Sequence, residues 1–174
     1  MLSYDNYLSL LRDKLSSHFD LTGAALLEGR TYDLHGTMNI RNTKYLLSEK
    51  VKIYNYENDE YLYLRKYGGE SLEGLKEELG QIQSVIPQII QPEKDHMSSL
   101  LTLVLVMDEE IPTDLARFAK RYRRQKGFAL GFRGWADLIL VIVSLKENRV
   151  VTHRNFMKTA AFFEPEKVCP KERT

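Results

Sequence analysis

Six cations fall within the ten residues from Arg117 to Lys126, with no acid among them. Arg117, Lys120, Arg121 and Arg124 recur at i, i+3, i+4 and i+7, which is one stripe of a helix. Leu115, Phe118, Ala119 and Tyr122 repeat the same spacing on the opposite stripe. A helix built this way packs with one side and presents positive charge with the other. Such a field suits phosphate backbones, acidic lipids or an acidic protein partner. The plainer reading is a solvated helix end whose cations favour the helix dipole.

A second set could serve phosphodiester hydrolysis. A metal-dependent nuclease needs a carboxylate on one strand, and a second carboxylate shortly before a lysine on the next. Together they hold Mg²⁺ beside the scissile phosphate and position water. Asp33 and His35 share the polar face of one expected strand, and Glu49, Lys50 and Lys52 follow on the next. Asp33, Glu49 and Lys52 are therefore the candidate catalytic residues. Glu49-Lys50-Val51-Lys52 does not supply Glu-x-Lys, and a mixed-charge solvent face explains the same residues. The order helix, strands, helix, strand is similar to restriction-endonuclease-like cores, which is an analogy of fold and not of activity.

Other chemistries lack their residues. His18, His35, His96 and His153 stand at no ligand spacing, and Cys169 is the only cysteine. No metal site, no cofactor and no intrachain disulfide is expected. There is no Gly-x-Ser-x-Gly elbow, phosphate-binding glycine loop or dinucleotide fingerprint. His96, in a polar loop ahead of an apolar strand, is a candidate substrate-facing residue or an ordinary loop residue. Tyr61, Tyr63, Arg65 and Tyr67 share one face of a strand. They either form an exposed aromatic platform or lie beneath a helix that their hydroxyls skirt.

These residues must be held by a domain of 174 residues, with 25 Lys+Arg against 24 Asp+Glu and a formal net charge of +1. Apolar residues make up 43% and charged residues 28%, a globular balance. The length buries one sizeable core. Near-neutrality excludes a chain coated in positive charge, though not a local basic stripe. No signal peptide is read at the first residues. The longest apolar runs, Leu100–Met107 and Leu138–Val143, are far short of the roughly 20 residues of a membrane span. A cytoplasmic protein without membrane contact is expected.

The period of the apolar residues sets the elements. Ser3 caps a helix carrying Tyr4, Leu8, Leu11, Leu15 and Phe19. Ala24–Leu27 is a short strand, and Thr31–Ile40 alternates as a single half-buried strand with Tyr32, Leu34, Met38 and Ile40 inward. Strands over Lys50–Tyr56 and Tyr61–Tyr67 follow, with a turn at Glu57-Asn58-Asp59-Glu60. Ser71 caps a helix whose stripe is Leu72, Leu75, Leu79, Ile82, Ile86 and Ile89, with Pro87 near its end. Leu100–Met107 is apolar on both faces, as a central strand is. Pro112 opens the basic helix, expected to run to about Lys126. A hairpin of Phe128–Phe132 with Trp135–Leu145 comes next, and then Val150–His153. The expected fold is a single α+β domain over residues 1–163, with a mixed, largely antiparallel sheet and three helices. Residues 164–174 are expected to be a flexible tail.

Four phrases stand out together: Ile40-Arg41-Asn42-Thr43-Lys44-Tyr45 leading into Lys50-Val51-Lys52; Tyr56-Glu57-Asn58-Asp59-Glu60-Tyr61; His96-Met97 before Leu101-Thr102; and Gly131-Phe132-Arg133-Gly134-Trp135-Ala136-Asp137. With them the chain resembles an uncharacterised family of small prokaryotic intracellular proteins, over nearly its whole length. The resemblance implies one intact cytoplasmic domain, and it assigns no activity, ligand or catalytic residue.

The leading expectation is a non-enzymatic binding module. It would engage a polyanion such as nucleic acid, or an acidic protein, through Arg117, Lys120, Arg121 and Arg124. A metal-dependent phosphodiesterase using Asp33, Glu49 and Lys52 is the alternative. A homodimer formed through an exposed strand edge is the third reading.

Overall fold

The computed structural model describes residues 2–39, 58–91, 98–132 and 134–169. Helix α1 (Tyr4–Leu15) begins where the Ser3 hydroxyl accepts a hydrogen bond from Asn6 N–H. Its buried residues are Tyr7, Leu11 and Leu15, each one turn from the next. Strands β1 (Asp20–Thr22), β2 (Ala25–Leu27), β3 (Arg30–Tyr32) and β4 (Leu34–Met38) follow, then β5 (Asn58–Lys66). Helix α2 (Leu72–Ile89), strand β6 (Ser98–Met107) and helix α3 (Thr113–Arg121) come next. Strands β7 (Arg123–Gly127), β8 (Trp135–Ser144) and β9 (Arg149–Val151) complete the sheet. Two helical turns, α4 (Met157–Ala160) and α5 (Pro165–Val168), close the described chain.

The main sheet runs β1-β4-β5-β6-β8-β7, and β9 also pairs with β8. Its centre is parallel: β5 pairs with β6, and β6 with β8, each along nine or ten residues. The flanking pairs are antiparallel. This is the expected mixed α+β domain, with its longest ladders parallel. Helices α2 and α3 lie over one face, packing on Leu101, Leu103, Leu105, Leu138, Leu140 and Ile142. Helix α1 and the C-terminal turns cover the other face, over Leu62, Leu64, Val104, Val106, Val141 and Val143. Two covered faces explain why every residue of β6 is buried and why its sequence does not alternate.

Three elements differ from the sequence reading. The expected strand Thr31–Ile40 breaks at Asp33. Tyr32, on β3, joins the core under α2, whereas Leu34 and Met38, on β4, join the core under α1. At the break, Asp33 accepts from the Tyr4 hydroxyl (2.5 Å) and from Lys66 N–H (3.1 Å), and its own N–H donates to the Leu64 carbonyl. The turn read over Glu57–Glu60 instead begins β5 at Asn58. The basic helix ends at Arg121, because the chain from Arg123 to Gly127 pairs with β8. That pairing satisfies the backbone groups along part of β8 that an outer edge would leave open. The expected strand Lys50–Tyr56 lies outside the described residues.

Within the polar stretch read as a tail, Pro165–Val168 are helical and Val168 is buried. The Tyr7 hydroxyl donates to the Phe163 carbonyl (2.7 Å), and Lys14 reaches the carbonyls of Phe162 and Lys167. Gly36 has a steric role in β4. A Cβ there would stand 2.8 Å from Leu21 and 3.2 Å from Phe19, so its absence lets β1 close over the strand.

Candidate functional site

The basic segment is divided between a helix and a strand. On α3, Leu115, Ala116 and Ala119 face the sheet, while Arg117, Lys120 and Arg121 are exposed. Arg124, expected on the same helical stripe, is on the outer strand β7 instead. In β7 the side chains alternate, which sorts the cations. Arg124 and Lys126 pair in register with Leu138 and Ala136, whose side chains lie under α3. They therefore fall on the same face of the sheet as α3. The Arg124 guanidinium stands 5.5 Å from the ring of Tyr122, which itself packs against Phe118. Arg123 points the other way. It grips Asp137 with two hydrogen bonds (2.8 and 3.1 Å) and lies over the ring of Phe156.

Arg117, Lys120 and Arg121, exposed on α3, and Arg124 and Lys126, exposed on β7, thus lie on the same side of the sheet. None of the five forms an ion pair with a carboxylate of a described residue. Arg123, which sequence alone adds to the cluster, is consumed by Asp137. The alternation of β7 is the signal that separates it, and it becomes readable only once Arg123–Gly127 is known to be a strand.

The candidate nuclease residues have different fates. Asp33 is half-buried and joins α1 to β5 through Tyr4 and Lys66, as described above. His35 lies on the β4 face that meets Tyr63, at 4.5 Å between rings, and burial pulls its imidazole below the ordinary value. Glu49, Lys52 and His96 lie outside the described residues. Among the described residues no group of three or more His, Cys, Asp or Glu is placed to hold a metal ion.

Two features were not read from the sequence. Glu60, only 7% exposed, makes no hydrogen bond or ion pair with a described residue. Desolvation pushes its carboxyl up to about 8, so it is neutral at pH 7. It sits opposite Met38 on β4 and Leu100 on β6, and Leu100 in turn sits opposite Asp137. The other is a cleft of about 540 Å³ at the C-terminal ends of β5 and β6, beside the first turns of α2 and α3. Glu70, Asp108, Glu109, Glu110 and Asp114 line it with Lys66, which pairs with Asp108 at 2.6 Å. Its surplus of carboxylates repels phosphate, so the cleft and the basic surface suit ligands of opposite charge.

The tyrosine face of β5 is covered by α2. Tyr63 is buried, and Arg65 (5% exposed) meets Glu78 (1%) of α2 through two hydrogen bonds of 3.0 and 2.5 Å. The Tyr32 hydroxyl donates to the same Glu78 (2.9 Å), Arg65 also reaches Glu70 (2.7 Å), and Arg30 stands 3.6 Å from Glu78. The Tyr67 hydroxyl donates to the Glu70 carbonyl at the rim. Burial, aided by Glu78, pushes the Tyr32 phenol well above its ordinary value. The group is a structural ion network and not an aromatic platform.

No helix among the described residues is long and apolar enough to cross a membrane. No curated protein and no solved structure matches the chain. A family model described as a domain of unknown function (DUF8052) matches residues 3–165, nearly the whole chain, and the chain belongs to that family.

Proposed function

We propose that this domain is a non-enzymatic binding module that engages a polyanionic or acidic partner through Arg117, Lys120, Arg121 and Arg124. The observation that carries the reading is the lack of any carboxylate partner for these four side chains among the described residues, although the chain holds 24 acids. Several exposed cations elsewhere are paired, Lys66 with Asp108, Lys146 with Glu109 and Arg149 with Glu147. Arg12, Arg154 and Lys158, in contrast, are exposed without such a partner among the described residues, and what sets the basic segment apart is four such cations within eight residues. Cations left without counter-charges keep their potential for an external anion. Their position at the end of a packed helix and on a hydrogen-bonded strand holds the backbone beneath them rigid, which lowers the entropy cost of binding.

The test is retention on heparin or nucleic acid at low salt. Retention is expected to weaken as salt rises, because anion contacts release counterions. Changing Arg117, Lys120, Arg121 and Arg124 together to Glu is expected to abolish it with the fold intact. A wild type that is not retained at low salt ends the reading. The same reading expects no cleavage of DNA or RNA with Mg²⁺ or Mn²⁺. Cleavage that disappears in Asp33→Ala would replace it with the phosphodiesterase alternative.

A further inference from the structure

We infer that the anionic partner is a lipid surface, and that the tip carrying Leu130 and Phe132, after β7, inserts into it. This inference rests on the binding reading for its charges and adds an apolar anchor that reading did not use. Phe128 is buried in the core, but Leu130 is 98% exposed and Phe132 is 89% exposed, within three residues at one tip. Trp135, the first residue of β8, is 42% exposed. A single exposed apolar residue on a folded domain needs no explanation, whereas two almost fully exposed ones two residues apart, followed closely in the chain by a half-exposed Trp, call for one.

The tip is built, not frayed. Ala129 (φ 47°) and Leu130 (φ 57°) both occupy the left-handed region, which disfavours residues with a Cβ. They are held there by backbone hydrogen bonds from Gly131 to Phe128, Phe132 to Ala129, Gly134 to Gly131 and Phe128 to Gly134, all between 2.9 and 3.2 Å. These bonds turn Leu130 and Phe132 outward. They also pair polar groups of the tip internally, a condition for leaving water at low cost.

The order of residues along the hairpin matches the layers of a bilayer interface. Leu130 and Phe132 lead. Trp135 is level with Gly127, then comes Lys126, and Arg124 follows two residues further along β7. At about 3.4 Å per residue, Arg124 lies roughly 10 Å behind Gly127. Insertion of an apolar face into the headgroup boundary is about 5–10 Å deep. The apolar pair therefore reaches the acyl boundary while Lys126 and Arg124 stay among the headgroups. Tryptophan favours the zone between them. A convex tip followed by cations fits a soft anionic surface better than it fits the flat face of a protein. The proposed contact is peripheral docking of this tip, without a spanning segment, and it departs from the expectation of no membrane contact.

Trp135 is the only tryptophan in the chain, so it reports on the tip directly. The full-length protein is mixed with phosphatidylcholine vesicles with and without phosphatidylserine, and also applied to heparin. Co-sedimentation is expected only with phosphatidylserine present, with a blue shift of Trp135 emission and quenching by brominated acyl chains. The Leu130→Ser/Phe132→Ser variant is expected to lose about tenfold or more in vesicle binding, since two apolar anchors are removed. Its heparin retention and melting curve are expected to stay unchanged. Heparin retention without vesicle binding would overturn the lipid inference and leave the binding reading standing. Absence of both would overturn both. Vesicle binding without quenching of Trp135, and unaffected by the double variant, would show attraction by charge alone and overturn insertion. Self-association of the wild type that the double variant abolishes, without vesicle binding, would make the occupant a second copy of this chain. The quenching result comes from the wild type, so it stands even if the double variant misfolds.

Discussion

Arg65 and Arg124 are the same residue type on two strands of one sheet, and they do opposite things. Arg65 is buried beneath α2 with a carboxylate on Glu78 and a second on Glu70. Arg124 is exposed on an outer strand, with a tyrosine ring beside it and no carboxylate partner among the described residues. The first guanidinium joins two elements and is closed to ligands. The second holds nothing together and remains open. Charge in a sequence counts toward binding only where burial and partners have not already used it.

The largest effect should come from stranding the buried cation. Glu78→Ala leaves Arg65 desolvated without its bidentate partner and removes the acceptor of Tyr32. A loss of about 3–5 kcal/mol is expected in urea unfolding. A cost below 1 kcal/mol would erase the contrast with the exposed cations.

The next concerns Glu60, a buried group with neither kind of use. Its folded value of about 8 lies above the ordinary carboxyl value of 4.5. The native state therefore holds a proton that the unfolded state releases, and stability falls as pH rises from about 4.5 through 8. Below that window the group adds no pH dependence, since both states are protonated. Glu60→Gln should flatten this dependence and gain on the order of 3 kcal/mol over the wild type above pH 8. Unfolding curves at pH 5 and pH 9 compare the two, and a parallel pH profile in the variant would contradict the burial argument.

A smaller loss is expected from Arg123→Met, because Arg123 is partly exposed and its pair with Asp137 is screened. About 1–2 kcal/mol is expected, with heparin retention unchanged. Loss of retention would place Arg123 in the binding surface after all.

The smallest effect on stability should come from the surface itself. Reversing Arg117, Lys120, Arg121 and Arg124 to Glu is expected to cost about 1 kcal/mol or less, chiefly through the dipole of α3. Thermal melting checks this, and a large loss would show that these side chains serve the fold as Arg65 does.

Much of the architecture follows from local pattern. Helix α1, helix α2 with its Ser71 cap, and the two apolar strands β6 and β8 are set by periodicity. Leu103, Leu105, Leu140 and Ile142 are core because no other element offers so continuous an apolar run. The family likeness, too, was legible from short phrases along the chain. Tertiary structure decided what happens where two local tendencies compete. From Thr31 to Ile40 the alternation is that of one strand, yet Asp33 binds Tyr4 and Lys66 and the chain changes faces there. From Arg117 to Lys126 the spacing is helical throughout, yet the unpaired side of β8 draws Arg123–Gly127 into the sheet. Backbone hydrogen bonds to a partner strand depend on which edge is free, and no window of sequence contains that information. The same decision sent Arg123 to Asp137, left Arg124 open, and raised the Leu130–Phe132 tip beyond the end of the sheet.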